Sequence, residues 1–175
     1  MSTMKKKRYK GLIIAAAAVI VTIVAIVMWI IYIIPGSYNK ENAEKLLSRN
    51  EDEFTIVAEY MSGYGQNSAS IFEEKETVFI FDGSSGRYEE ITDRRVKKAV
   101  DRLRSRGVDN IHWDGENSTH FLVWTFFMDF GAGIVYTNDS SKEPHVQFLT
   151  KAEHLSLDGW YYYEADYNEW RLNNS

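Results

Sequence analysis

The histidines are the side chains of this sequence best suited to chemistry at neutral pH, because an imidazole gains and loses its proton there. The four are His112, His120, His145 and His154. None has the close spacing of a metalloprotease helix or a zinc finger. His112, Asp114 and His120 flank a predicted turn and would converge on a metal across it, but polar residues beside a turn usually face solvent. We therefore expect neither a metal site nor a cofactor.

Motifs for nucleophilic and phosphate chemistry are incomplete. Residues 82–87, DGSSGR, follow a predicted strand but lack the Gly-Lys-Ser/Thr ending of a phosphate-binding loop, so we interpret them as a turn. No Gly-x-Ser-x-Gly nucleophile elbow occurs. The lack of cysteine excludes thiolate metal sites, cysteine nucleophiles and disulfides. Acid pairs for glycoside cleavage come from separate elements, so spacing cannot identify them, and no catalytic residue is assigned.

Seven lysines and arginines lie within residues 94–106 of a region that is otherwise acidic. Five of the 20 basic residues precede residue 11, which leaves 15 against all 25 acidic residues and a formal charge of −10. The candidate anionic-ligand face on this predicted helix comprises Arg94, Arg95, Lys97, Lys98 and Arg102. Such a face suits an anionic polymer or anionic headgroups. The alternative is a solvated face that pairs with the domain's own carboxylates.

The segment 159–170, GWYYYEADYNEW, contains six aromatic residues. In a strand, Trp160 and Tyr162 would share one face, and Tyr161 and Tyr163 the other. A sugar-binding surface would gather its rings on one exposed face, so we predict that this segment is structural and buries its rings. The alternative is an aromatic binding surface. Its candidate residues are Tyr161, Tyr163, Tyr167 and Trp170.

The elements that position these residues begin with helical periodicity. Apolar residues recur every three or four positions from Asn42 to about Tyr60, and Asn50 is a candidate end of one helix and Asp52 a candidate start of another. Residues 62–70 are a predicted loop. Residues 76–83, ETVFIFDG, predict a strand that ends in an Asp-Gly turn.

A second helix is predicted between residues 92 and 107. Thr92 is its expected N-cap and Gly107 its expected C-cap. Its buried face consists of apolar residues at helical spacing: Val96, Ala99, Val100 and Leu103.

Four β-rich runs follow the second helix. They are NIHW, THFLVWTFFMDF, GIVYTN and the segment from Gly159 to Glu164. Turns at Asp114-Gly115 and Gly131-Ala132-Gly133 separate the first three, so we expect hairpins. Both alternating sets of the long run are apolar, which predicts a central strand. The order helix, strand, helix, four strands predicts an α+β fold in which two helices pack on a mainly antiparallel sheet of about five strands.

Residues 12–34 form an apolar run of 23 residues without a charge. A helix of that length spans the roughly 30 Å hydrocarbon layer of a bilayer. Five basic residues precede the run and no small-x-small cleavage site follows it, so we expect an uncleaved signal anchor with its N-terminus in the cytosol. The predicted organisation is a basic cytosolic tail (1–11), a transmembrane helix (12–34) and an extracytoplasmic domain (37–175).

These features predict function only coarsely. We expect a single-pass protein of the cell membrane whose outer domain is a non-catalytic binding module of the cell envelope. Its expected partners are the bilayer, through residues 12–34, and envelope proteins or anionic wall polymers. Nucleic acid is not an expected partner, because the basic helix would lie outside the cytosol. The alternative is an envelope hydrolase acting on wall glycan or peptide, which would need a deep polar pocket with convergent acids or histidines.

The predicted topology has a direct test. Protease added to intact cells should digest residues 37–175 and spare the first thirty or so residues, because the basic tail holds the N-terminus in the cytosol. Immunoblotting with tags at either end measures the outcome. A C-terminal tag that survives protease in intact cells would contradict the orientation.

Overall fold

The computed structural model describes residues 19–24, 38–74, 77–126, 130–139, 143–146 and 148–167 of the 175-residue chain. Of the predicted membrane segment 12–34, only residues 19–24 are among these, and they are helical. No helix within the described residues is long and apolar enough to cross a bilayer. The chain divides into two units, Met1–Ser37 and Tyr38–Ser175. The second unit contains every helix and strand that is labelled below.

Two consecutive helices, α1 (Lys40–Arg49) and α2 (Glu51–Ser62), open the second unit. The Oδ1 atom of Asn39 accepts a hydrogen bond from the backbone N–H of Asn42 at 3.0 Å and caps α1. Asn50 separates the two helices, an interruption that the sequence left open, so the described part of the domain has three helices where two were predicted. The side-chain amide of Asn50 donates to the carbonyl of Leu46 at 2.8 Å, so it also helps to end α1.

The third helix, α3 (Arg94–Ser105), differs from the prediction in its caps. Asp93, and not Thr92, is the N-cap, and its Oδ1 atom accepts from the backbone N–H of Arg95 at 2.7 Å. A carboxylate at this position also interacts favourably with the positive end of the helix dipole. The C-cap is Arg106, and Gly107 follows it with φ +95°, a left-handed conformation that glycine adopts without strain. The predicted buried face is confirmed: Val96, Ala99, Val100 and Leu103.

Within the described residues the sheet has eight antiparallel strands, where the sequence predicted about five. The strands are β1 (Ala69–Glu74), β2 (Thr77–Asp82), β3 (Arg87–Glu90), β4 (Asn110–Trp113), β5 (Ser118–Phe126), β6 (Phe130–Thr137), β7 (Leu149–His154) and β8 (Trp160–Asp166). Their spatial order is β3-β2-β1-β4-β5-β6-β8-β7, so β3 and β7 form the edges. The α+β class and the mainly antiparallel sheet are confirmed, whereas the strand count was wrong.

The three strands that the sequence did not predict carry weak hydrophobic patterns. All four residues of β3 are exposed, and no residue of β7 is fully buried. In β1 only Ala69 and Ile71 are buried, and the residues before them resemble a loop. Such segments become strands because a neighbouring strand offers backbone hydrogen bonds. Their own sequences carry no pattern that would indicate this neighbour.

The glycines predicted as a hairpin turn, Gly131-Ala132-Gly133, lie inside β6. The register between β5 and β6 shifts between Leu122 and Trp124, which marks a bulge beside these glycines. A Cβ atom on Gly133 would lie 2.1 Å from the carbonyl oxygen of Phe121. Glycine is therefore needed at residue 133 for the close approach of two backbones, and not for a turn.

The helices cover one face of the sheet, here called the helix face. Phe54 of α2 lies between two rings of the sheet, with centroid distances of 4.8 Å to Phe121 and 5.7 Å to Trp160. The opposite face, here called the second face, carries a smaller cluster. Its buried members are Val135, Val146, Tyr161, Tyr163 and Ala165. Trp160 and Tyr162 belong to the core on the helix face, so the predicted alternation of rings in β8 is confirmed.

One continuous row of side chains crosses all eight strands on the second face, because directly opposite residues of antiparallel strands point to the same side. From β3 to β7 this cross-strand row consists of Tyr88, Phe81, Ser70, His112, His120, Val135, Tyr161 and His154. Aromatic residues occupy one end, polar residues follow, and buried apolar residues come next. The register of the sheet therefore brings together side chains that are distant in sequence.

The close approach at Gly133 generates a stability prediction. Gly133→Ala should destabilise the domain by about 3 kcal/mol, because the new methyl group overlaps a backbone carbonyl that cannot rotate away. Gly86→Ala is the control, since its site has open space and costs only about 1 kcal/mol for the left-handed backbone. Chemical unfolding of both variants measures the difference. Equal losses would contradict the described approach of β5 and β6.

Candidate functional site

A cavity of about 520 Å³ lies on the second face of the sheet, over β4 and β5. Its size is in the range of small-ligand sites. The residues that line it are Asn110, His112, Asp114, His120, Leu122, His145, Val146, Tyr163 and Tyr167. Three of the four histidines of the chain are among them. The cavity thus combines polar groups, among them His112 and His120 of the cross-strand row, with the rings of Tyr163 in β8 and Tyr167 just after β8.

Asp114 is positioned by the turn between β4 and β5. Its Oδ1 atom accepts hydrogen bonds from the backbone N–H groups of Glu116, Asn117 and Ser118 at 2.8, 3.1 and 3.1 Å. Gly115 makes this turn possible with φ +85°. The carboxylate is consequently fixed in orientation, with one oxygen fully engaged by the backbone.

The second oxygen of Asp114 has no hydrogen-bond partner within the described part of the chain, although the side chain is only 8 % exposed. The Nε2 atom of His120 is likewise buried and without a hydrogen-bond partner there, and the two atoms face each other at 4.0 Å, the outer limit of an ion pair. That distance is too long for a hydrogen bond. A buried polar atom without a hydrogen bond lowers the stability of the fold. A third group that hydrogen-bonds to both atoms would therefore stabilise this site.

The carboxyl group of Asp114 is ionised at neutral pH. Burial acts to raise its pKa, but the side chain of His120 and the backbone N–H groups of Glu116 and Ser118 outweigh burial and lower the pKa below its ordinary value. The cavity therefore contains a fixed negative charge with an unused acceptor oxygen.

His112 lies beside His120 on the cross-strand row, with their ring centroids 6.0 Å apart. Its Nδ1 atom shares a hydrogen bond of 2.8 Å with the hydroxyl of Ser70, which holds the ring in one orientation. Burial and the neighbouring His120 lower the pKa of His112, against the opposing effect of Asp114. His112 is therefore neutral at pH 7, with one donor and one acceptor nitrogen, of which Nδ1 is engaged by Ser70.

Two tyrosines form the apolar wall of the cavity. The ring of Tyr163 lies edge-on to His120 at a centroid distance of 5.9 Å. Burial raises the pKa of Tyr163 and of Tyr167, so both phenols stay protonated. A Cβ atom on Gly131 would lie 3.1 Å from the ring of Tyr167, so glycine there leaves room for the ring against β6.

The candidate aromatic surface is placed as follows. Tyr161 and Tyr163 are 3 % and 2 % exposed, so their rings are buried and cannot form an exposed platform. Tyr167 is half-buried and lines the cavity. Trp170 lies outside the described residues. The buried rings agree with the structural role that the alternation of the sequence predicted.

The candidate anionic-ligand face on α3 is partly neutralised. Lys97 pairs with Glu90 at 2.7 Å, and Arg102 pairs with Glu53. The other three candidates are exposed and have no ion pair among the described residues: Arg94, Arg95 and Lys98. Each interpretation of the sequence therefore holds for part of this helix. Lys97 and Arg102 pair with carboxylates of the domain, and the three exposed cations could contact an anionic ligand.

His112, Asp114 and His120 do converge, as their position around the turn suggested. Within the described residues, however, no group of three or more His, Cys, Asp or Glu side chains has the arrangement of a metal site. Sequence reasoning did not identify Asn110, Leu122 and Val146 as cavity residues. Alternation around the His112–His120 pair would have indicated Asn110 and Leu122, whereas nothing local indicates Val146.

The architecture defines the protein as an antiparallel α+β domain with helices on one face and a ligand-sized polar cavity on the other. Comparison with protein-family models, curated proteins and solved structures found no match for the chain. The geometry of the cavity and of α3 is therefore the basis for the functional argument.

The lowered pKa of His112 predicts a pH dependence of stability. Between its folded pKa and its ordinary value of 6.5, the unfolded chain binds a proton that the folded chain excludes. Stability therefore falls as the pH decreases through this window. His112→Gln should make the free energy of unfolding less dependent on pH between about pH 8 and pH 5.

Chemical unfolding across that range measures the slope. His154→Gln is the matched control, because it replaces an exposed histidine at the far end of the cross-strand row. An unchanged slope for His112→Gln would contradict the burial of the neutral imidazole.

Proposed function

We propose that this chain is a single-pass, membrane-anchored binding protein whose extracytoplasmic domain holds a neutral, hydroxyl-bearing ligand in the cavity. The observation that carries the proposal is the pair of buried, unpartnered atoms at the cavity, Asp114 Oδ2 and His120 Nε2. Atoms 4.0 Å apart can both lie about 2.8 Å from one hydroxyl oxygen. Such a hydroxyl donates to the carboxylate and accepts from the imidazole, and satisfies both.

The charges of the cavity favour a neutral ligand over an anion. No lysine or arginine is among the described lining residues, and Asp114 carries a negative charge. An anionic ligand would therefore meet repulsion without a compensating cation. His112, Asn110 and His145 add further donors and acceptors, while Tyr163 and Tyr167 supply ring faces and edges. Polar side chains interleaved with tyrosines suit a sugar unit, and we infer that the ligand is a glycan of the cell envelope.

The location is part of the same proposal. The apolar run 12–34 and the basic tail before it support an anchor that leaves the N-terminus in the cytosol and the domain outside. Partners in the envelope are then within reach of the domain. The exposed cations on α3 support a second contact with an anionic wall polymer.

An envelope hydrolase is the second candidate, because histidines and an acid do converge at the cavity. Asp114 is the only carboxylate among the described lining residues, whereas glycoside cleavage usually employs two. Ser70 is hydrogen-bonded to His112 but is not among the residues that line the cavity. Binding without turnover is therefore better supported than hydrolysis.

Asp114→Asn tests the cavity. The amide keeps an oxygen for the backbone N–H groups of the turn but removes the charged acceptor, so binding of β-1,4-linked N-acetylglucosamine oligomers should weaken roughly tenfold or more. Asp101→Asn removes the same charge from an exposed position on α3 and should leave binding unchanged. Calorimetric titration of the full chain in lipid nanodiscs measures both affinities.

Two outcomes of this titration would count against the proposal. The first is that the parent protein binds no oligomer, and the second is that Asp114→Asn binds as tightly as the parent does. Release of shorter oligomers by the parent, lost in Asp114→Asn, would favour the hydrolase instead.

The basic face of α3 has its own test. Replacing Arg94, Arg95 and Lys98 with glutamine should weaken retention on an anionic wall polymer, and the parent's retention should fall steeply with added salt. The control replaces three cations of α1, Lys40, Lys45 and Arg49, which removes the same charge from exposed positions on another helix. Equal effects of the two triple variants would show that net charge, and not this face, governs retention.

A further inference from the structure

A cluster of three aromatic side chains lies outside the core, on strands β1, β2 and β3. Phe72 and Tyr88 are 42 % and 65 % exposed, and they are the exposed large hydrophobic residues among the strand residues whose burial is described. The ring of Phe81 contacts both, with centroid distances of 4.9 Å to Tyr88 and 6.5 Å to Phe72, and the rings of Phe72 and Tyr88 are 6.1 Å apart. The three rings therefore form one connected aromatic cluster that water reaches.

The aromatic cluster and the cavity share the second face of the sheet. Tyr88, Phe81 and Ser70 are successive members of the cross-strand row, and His112 and His120 come next. Neighbouring strands lie about 4.8 Å apart, so the row from Tyr88 to His120 is roughly 19 Å long. A ligand that occupied both the cluster and the cavity would have to be a chain of several units.

The cross-strand row between the aromatic cluster and the cavity lacks strongly charged side chains. The row contains no lysine, arginine or carboxylate, and Ser70 contributes its hydroxyl to the bond with His112. Exposed rings leave apolar surface in contact with water, and a ligand that covers this surface gains free energy from its burial. The apolar C–H faces of sugar rings cover aromatic rings, and their hydroxyl rims match the polar part of the row.

We propose that the aromatic cluster is a second subsite, which carries the continuation of a neutral glycan chain whose first sugar occupies the cavity. The inference rests on the proposed function, because it takes the cavity as the first subsite. A peptide added as a further strand fits less well, since the edge strand β3 has four residues and three of them are charged.

The experiment compares ligand length with ring removal in the full chain in nanodiscs. The probes are β-1,4-linked N-acetylglucosamine oligomers of one to six units. Affinity of the parent should rise with length, until the chain reaches the cluster. Tyr88→Ala should reduce the affinity for the longest oligomer roughly fivefold and leave the monomer unaffected. Tyr88→Phe keeps the ring and should bind as the parent does.

The outcomes separate the two proposals. If the parent binds the monomer and the hexamer equally, or if Tyr88→Ala matches the parent at every length, the second subsite is wrong and the cavity site stands. If Tyr88→Ala weakens monomer and hexamer alike, the ring acts through the fold, and the second subsite is also wrong. If the parent binds no oligomer of any length, the proposed function is wrong, and the second subsite is wrong with it.

Discussion

The register of the antiparallel sheet is the constraint on which the rest of the structure depends. His112 lies opposite Ser70 on one side and His120 on the other, and Ile111 lies opposite Ile71 and Phe121. A slip of one residue would turn the histidines towards the helices and the apolar side chains towards the cavity. The same pairing therefore builds the core on the helix face and the polar site on the second face.

Several local features hold this register, and some also belong to the site. The carboxylate of Asp114 closes the β4–β5 turn with one oxygen and leaves the other at the cavity. Gly133 lets β6 approach the carbonyl of Phe121, beside the bulge that follows Leu122. The ring of Tyr163 lies against His120 and anchors the small cluster on the second face. A site on paired strands with a fixed turn is preorganised for a ligand, because its side chains have little freedom to lose on binding.

Much of the fold was predictable from sequence where hydrophobic patterns are strong. The buried face of α3 and the strands β4, β5, β6 and β8 follow from periodicity, since burial of apolar residues dictates them. The edge strands β3 and β7 were not predictable, because none of their residues is fully buried and pairing with a neighbouring strand defines them. The turn at Gly131–Gly133 was misassigned because glycine also serves close backbone contact within a strand.

The site was predictable in part and for the same physical reasons. The neighbourhood of the β4–β5 turn indicated His112, Asp114 and His120, but the cavity also needs Tyr163 and Val146, which are distant in sequence. The aromatic-rich segment in β8 proved to be buried, whereas the exposed rings come from strands whose sequences gave no such signal. Exposure of a ring depends on whether another element covers it, and that is a tertiary property.

The central claim is that a neutral glycan binds at the polar part of the second face. Nitrogen chemical shifts of the histidine rings, followed by NMR while N-acetylglucosamine oligomers are added to the full chain, test it most directly. Saturable shifts at His112 and His120, with His154 unchanged at the far end of the row, are the predicted result. Unchanged shifts at His112 and His120 at saturating oligomer would contradict the claim.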